Sequence, residues 1–278
     1  MNTIRTPLSG MLKSMCIITL AAQLFVVGCQ NSQTTDDTLF QLSTIGALLV
    51  GVYDGAMPYS ELQRKGDFGL GTFDALDGEM VCLDGTFYQI GMDGSAVPAA
   101  GSMTAPFAMV TTFDTDLSET FTDINGYEFL KQSLDAMLPT PNIIYAVKIT
   151  GSFSYVQARS VPAQTKPYPP LSDVIESQAV FEFYDVEGTL IGFRMPGYAE
   201  GVNVSGYHFH FLTKDRLSGG HLLACDIHSA EAAVDCIHDL VLELPSYDAF
   251  YTAELAADDQ SAAERIEKAR TIISRYGF

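Results

Sequence analysis

Hydrophobic and polar positions along the chain alternate between a helical and an extended rhythm. Between Phe40 and Gly55 the apolar run Ile45-Gly46-Ala47-Leu48-Leu49-Val50 predicts a buried helix closed by Gly55. Ser60-Glu61-Leu62-Gln63 has the form of a capping box and predicts a short second helix ending at Gly66. The pattern then becomes extended. Stretches 67–73, 76–81 and 85–90 read as short strands separated by Asp-Gly turns, the residue pair that tight hairpins favour. Further strands at 108–113 and 143–156 flank a helix from about Tyr127 to Leu138, which Pro139 and Pro141 stop. A proline-rich run from Pro162 to Pro170 leads to a second strand-rich stretch, 179–244, and 262–273 reads as a charged C-terminal helix with a solvated outer face. The expectation is an α+β fold of two strand-rich mixed halves. They divide into an N-terminal domain over 40–161, a connection over 162–171 and a C-terminal domain over 172–278 that carries the tail helix.

The N-terminus follows a different logic. Arg5 and Lys13 precede an apolar run from Met15 to Gly28 that contains no acid, the organisation of a secretory signal over 1–28. The run is too short to span a bilayer as a helix. It ends in Val26-Val27-Gly28-Cys29 and resembles a bacterial lipobox, which implies that Cys29 becomes the lipid-modified first residue of an exported, membrane-anchored lipoprotein. Residues 29–39 would then form a polar tether.

Composition narrows the function classes. The 278 residues include 34 acidic and 15 basic side chains, a formal net charge of −19, which excludes a nucleic-acid binder working by phosphate neutralisation. With 47% hydrophobic and 18% charged residues the chain can build a core, so general disorder is excluded too. Of the five cysteines, Cys82, Cys225 and Cys236 fall in the folded part and show no zinc-knuckle spacing. Stretches 222–228 and 234–238 read as a hairpin centred near Ala230 and Glu231, with Cys225 opposite Cys236 as either a disulfide or two buried thiols.

Three of the five histidines lie between Gly206 and His221. On a strand, His208 and His210 share one face because side chains alternate, roughly 6.5 Å apart, and Ser218-Gly219-Gly220 is a turn signal that brings His221 back beside them. Three neutral imidazoles with open positions are what a catalytic metal requires, and the donors suit zinc, iron or manganese. A lone His-x-His is more often structural; the third histidine after the glycines tips the balance towards a metal site on strands of the C-terminal half. His228 and His238 read as structural.

Several longer motifs occur in order: Thr44-Ile45-Gly46-Ala47-Leu48-Leu49 with Gly51-Val52-Tyr53-Asp54-Gly55, Gly66-Asp67-Phe68-Gly69-Leu70-Gly71-Thr72-Phe73, Leu76-Asp77-Gly78-Glu79, Val156-Gln157 with Arg159, and Gly206-Tyr207-His208 with His210-Phe211 and Gly219-Gly220-His221. Together, from about Phe40 to about Leu255, they resemble the bacterial acetolactate decarboxylases. The resemblance implies a homodimeric enzyme with one zinc per chain that converts 2-acetolactate to acetoin and carbon dioxide through a zinc-stabilised enediolate. In that family pattern His208, His210 and His221 match the metal ligands, Glu79 the active-site acid/base and Arg159 the cation that holds the substrate carboxylate; Thr72 is a pocket-lining candidate. Two positions depart from the pattern. Val50 stands where an acid is usual, and a tail glutamate at the metal corresponds, aligned on Ile266-Glu267, to Arg270. Glu267 is either the tail carboxylate that substitutes after a shift of about one helical turn or a solvated helix residue. The competing readings are another mononuclear metal enzyme, a hydrolase or oxygenase, on a β-rich scaffold, and a non-catalytic surface lipoprotein that keeps the fold.

Overall fold

The computed structural model describes residues 37–255. The chain opens with strand β1 (Thr38–Leu42), helix α1 (Ile45–Leu49), the short β2 (Met57–Pro58) and helix α2 (Tyr59–Leu62). A run of short strands follows: β3 (Phe68–Thr72), β4 (Glu79–Leu83), β5 (Thr86–Ile90), β6 (Ala96–Pro98), β7 (Thr104–Ala105) and β8 (Phe107–Thr111). Then come β9 (Leu117–Asn125), α3 (Tyr127–Met137), the long β10 (Ile144–Ser160), α4 (Leu171–Ile175) and β11 (Ala179–Met195). The described chain ends through β12 (Gly206–Thr213), β13 (Gly219–Ile237), β14 (Asp239–Glu243) and α5 (Asp248–Tyr251).

These elements form a seven-stranded sheet in the order β14-β1-β8-β3-β4-β5-β6, a five-stranded sheet in the order β10-β11-β12-β13-β9, and a small β2-β7 pair. In the five-stranded sheet β10 also pairs with β13, so β10, β11, β12 and β13 close into a circuit with β9 beside β13. The two large sheets share a core. Phe68, Leu70, Val81 and Met109 of the first pack with Ala146, Ile191, Phe193 and Leu212 of the second, all buried. Fully burying each large apolar side chain is worth about 1.5–3 kcal/mol, so this layer is what fixes one sheet against the other. A second apolar layer lies between the five-stranded sheet and α3, through Leu130 and Leu134. The third covers the outer face of the first sheet with Tyr59 and Leu62 of α2.

The α+β reading holds in strand-rich form, with short helices, and the structure corrects several local expectations. The buried helix expected from the run Ile45–Val50 forms as α1, but it stops at Leu49 instead of reaching Gly55, and a strand precedes it. Phe40 and Leu42 continue a sheet between β8 and β14, and Thr44 then starts α1 by accepting a hydrogen bond from the Ala47 N–H at 3.2 Å. Ser60 does not cap α2; Pro58 occupies that position without a side-chain cap bond. The Asp-Gly turn between β4 and β5 forms as expected, with Asp84 at φ 51 and Gly85 at φ 72.

The expected hairpin near Ala230 is absent. β13 runs unbroken through it, pairing with β10 on one side and β9 on the other, because Ser229 to Ala233 contains none of the glycine, proline or asparagine that would turn the chain. Cys225 and Cys236 therefore lie far apart on one strand, opposite Val156 and Tyr145, and Cys225 is a free, buried thiol. The chain passes from one sheet to the other between β8 and β9, ahead of the proline-rich run, and β14 returns to the first sheet beside β1. The proline run thus does not separate the sheets; it carries the chain from β10 to α4. The tail helix, Glu267, Arg270 and Cys29 lie outside the described residues.

Candidate metal centre

The centre is built by strand register. On β12, His208 and His210 alternate with Tyr207, Phe209 and Phe211. The aromatic residues enter the layer under α3, so the histidines face the first sheet. The turn at Ser218 sends β13 back along β12 with His221 directly opposite His210. Gly220, at φ 153, is needed here, since a Cβ would stand 2.5 Å from the Arg159 carbonyl oxygen. That close approach lets β10 lie against β13 with Arg159 opposite His221.

The three imidazoles are buried, with 8%, 1% and 3% exposure for His208, His210 and His221, and their ring centroids lie 4.9–5.2 Å apart. One ligand atom from each falls within 4.8 Å of the others. His210 Nδ1 is 2.8 Å from the Met80 carbonyl oxygen. A carbonyl can only accept, so Nδ1 carries the hydrogen and Nε2 presents its lone pair to the centre. His208 Nε2 and His221 Nδ1 are 3.1 Å apart. Two nitrogens bound tetrahedrally at 2.0–2.1 Å would stand about 3.3 Å from each other. The donor set and its spacing therefore fit a divalent transition metal, and the backbone bond to His210 is the kind of orienting partner that ligating histidines use.

The first sheet supplies the rest. Glu79, at the start of β4 and 8% exposed, brings Oε2 to 3.5 Å from His210 Nε2. Its register partner Thr72 is buried and donates its hydroxyl to the Gly78 carbonyl at 2.7 Å, which ties the β3 end to the turn before Glu79. Arg159, 4% exposed on β10, donates from Nη1 to Gln178 Oε1 at 3.2 Å. Thr72, Glu79, Arg159 and the three histidines line one cavity of about 560 Å³ including its open mouth, whose remaining wall includes Ile45, Leu48 and Leu49 of α1, Leu76, Phe107 and Val204.

The described candidates from the sequence therefore meet at one place. His228 and His238 do not join them; both are exposed, and His228 Nδ1 lies 3.5 Å from Asp123. Three contributors escaped the sequence reading. The Met80 carbonyl is a backbone group with no residue signature. Gln178 reaches Arg159 only through the pairing of β10 with β11. The α1 leucines read as core, and their apolar pattern is the same whether a helix faces a core or a cavity.

This is a strand-rich, two-sheet protein whose buried three-histidine cluster, beside an acid and a guanidinium, could hold a metal ion. Over residues 39–257 the chain matches the family model described as alpha-acetolactate decarboxylase. It is 51% identical over 85% of its length to an alpha-acetolactate decarboxylase of Methanosarcina mazei, covering 82% of that relative, and 45% identical to one of Methylococcus capsulatus, covering 84% of this chain and 89% of the relative. The crystal structure of alpha-acetolactate decarboxylase from Bacillus subtilis strain 168 superposes with a TM-score of 0.81 at 37% identity, covering 83% of this chain and 99% of that one. The chain belongs to the alpha-acetolactate decarboxylase family.

Proposed function

We propose that this protein converts 2-acetolactate to acetoin and carbon dioxide, with one zinc per chain held by His208, His210 and His221. The observation that carries this reading is the convergence of Glu79 and Arg159 with the three histidines on a single buried cavity. When bound, zinc supplies Lewis-acid polarisation of the oxygens beside the breaking bond. The substrate is a 2-hydroxy-3-oxo acid, so breaking the bond to the carboxylate leaves an electron pair that the adjacent ketone absorbs as an enediolate. Arg159 binds the carboxylate through its planar fork and fixes the direction of the breaking bond. Leu48, Leu49 and Phe107 keep bulk water away from the carbon that gains electron density. Glu79 takes up a proton at its carboxylate and delivers it to one face of that carbon, which sets the handedness of acetoin. Thr72 holds the strand end from which Glu79 projects. Proton uptake balances the loss of carbon dioxide from the substrate anion.

The test is acetoin and carbon dioxide release from racemic 2-acetolactate by the full chain, before and after chelation and zinc return. Formation of both products in equal amounts, lost and regained with the metal, supports the reading; binding of metal without product overturns it. The lipobox-like Val26-Val27-Gly28-Cys29 adds a location, an exported and lipid-anchored homodimer acting on excreted acetolactate. Incorporation of labelled palmitate in the wild type and not in Cys29→Ala would support the anchor. Unlabelled wild-type protein would rule it out.

A further inference from the structure

We infer that Leu76 is a specificity-determining residue: it limits the size of the group carried by the substrate carbon that loses its carboxylate. The inference deepens the reaction proposed above and rests on it. Residues 74–77 form a tight turn, closed by the Asp77 N–H on the Asp74 carbonyl at 3.3 Å, in which both central residues are left-handed, Ala75 at φ 58 and Leu76 at φ 59. Glycine and asparagine normally fill such positions, because a Cβ crowds the following carbonyl there. Alanine and leucine occupy both instead, so the local sequence opposes the local geometry. Strain of this kind persists only where the surroundings over-determine it, and it clusters at ligand sites.

Those surroundings are specific. Ala75 donates its N–H to the Tyr53 carbonyl at 2.8 Å and accepts the Gln164 N–H at 2.7 Å, while Asp74 Oδ1 accepts the Gly55 N–H at 2.6 Å. The segment after α1 and the proline-rich run thus grip the turn from two sides. Beyond Leu76, its carbonyl accepts the Gly78 N–H at 2.9 Å, and the Gly78 carbonyl accepts the Thr72 hydroxyl at 2.7 Å, so the backbone from Leu76 to Glu79 is pinned to the end of β3. The result is a Leu76 side chain that is 2% exposed and stands in the wall of the cavity that Glu79 and Arg159 also line. In the proposed reaction Arg159 holds the departing carboxylate and Glu79 protonates the carbon left behind. An apolar branched side chain fixed three residues before Glu79 therefore meets what else that carbon carries, and each methylene added there must displace a side chain whose backbone is fastened on both sides.

The experiment measures kcat/KM for 2-acetolactate and for its ethyl homologue, 2-aceto-2-hydroxybutanoate. It also measures the Kd of two unreactive probes that differ by the same methylene, 2-hydroxy-2-methylpropanoate and 2-hydroxy-2-methylbutanoate. Wild type is compared with Leu76→Ala and with Leu83→Ala, a buried leucine at the other end of β4 from Glu79 and outside the cavity wall. Leu76→Ala is expected to raise the ethyl-to-methyl ratio of kcat/KM by about tenfold or more, the scale of one methylene in an apolar pocket, and to shift probe affinity the same way. Leu83→Ala should lower Tm with both ratios unchanged. Should Leu76→Ala fail to fold, the substitution is made together with Ala75→Gly, which relieves the left-handed strain and on its own is expected to raise Tm without moving either ratio. Unchanged ratios in folded Leu76→Ala, or equal shifts in Leu83→Ala, would overturn the inference. Wild type that turns over neither substrate would overturn the reaction instead, and the probe ratio would still read the role of Leu76.

Discussion

His210 and His221 are register partners across the β12–β13 turn, with ring centroids 5.2 Å apart, so a single hairpin sets the spacing of two candidate metal ligands. His208 joins them from the same strand, two residues before His210. The site is rigid for that reason: side chains built on paired strands are held by backbone hydrogen bonds on both sides, not by the conformation of a loop.

A metal held at this hairpin would be linked to the fold. Chelation should lower Tm, and excess zinc should restore it, because an ion that binds only the folded protein stabilises it by mass action. Differential scanning fluorimetry with and without zinc checks this. In His221→Ala the zinc-dependent rise should vanish, whereas a full rise in that variant would contradict the assignment of His221.

Glu79→Gln keeps the volume and removes the carboxylate, 3.5 Å from His210, that the proposed reaction uses to carry the proton. The expected result is a kcat lower by about 10²–10⁴-fold, the usual size of a general acid–base contribution, with zinc content retained. Steady-state kinetics together with metal analysis separates this from loss of the centre.

Gly220→Ala should damage both stability and activity. The new methyl group would meet the Arg159 carbonyl at 2.5 Å, at a backbone φ of 153, so β10 and β13 must separate where Arg159 and His221 face one another. A loss of at least about 1 kcal/mol is expected, read as a Tm drop of roughly 2–4 °C or more for a domain of this size. Unchanged Tm would show that the strands relax freely.

Asp235 gives the fold a pH dependence remote from the centre. Burial, with repulsion from Asp116, Asp37 and Asp114, pushes its carboxyl up to about 8 against an ordinary 3.8, and the residue is 1% exposed. The folded form therefore holds this proton more tightly than the unfolded chain. Its contribution to stability is complete below about pH 4, declines as the pH rises and is fully lost once the pH passes about 8. Asp235→Asn should match wild type in acid and exceed its Tm at neutral to alkaline pH. Thermal melts between pH 4 and 9 test this divergence.

Much of the site was legible from residue spacing. The alternation of His208 and His210 with aromatic residues, and the glycines before His221, already contain the hairpin that the structure forms. The pattern after Gly66 likewise yields β3, β4 and β5 within a few residues. Sheet membership was not legible, because pairing is non-local: nothing in Asp239–Glu243 announces that it lies parallel to Thr38–Leu42. The missed strand continuation through Ala230 has a similar cause. A polar interruption resembled a turn, but two flanking strands hold the segment extended. Gln178 was invisible for the same reason, since its relation to Arg159 exists only once β10 and β11 pair.

The most direct test of the account measures zinc content and acetoin release on the same preparations of wild type, His208→Ala, His210→Ala and His221→Ala. Zinc near one per chain with turnover is expected in wild type, and in each variant a loss of turnover greater than the roughly 100-fold that removal of an orienting partner would cause, with zinc depleted. Turnover that persists in a zinc-depleted variant would contradict it.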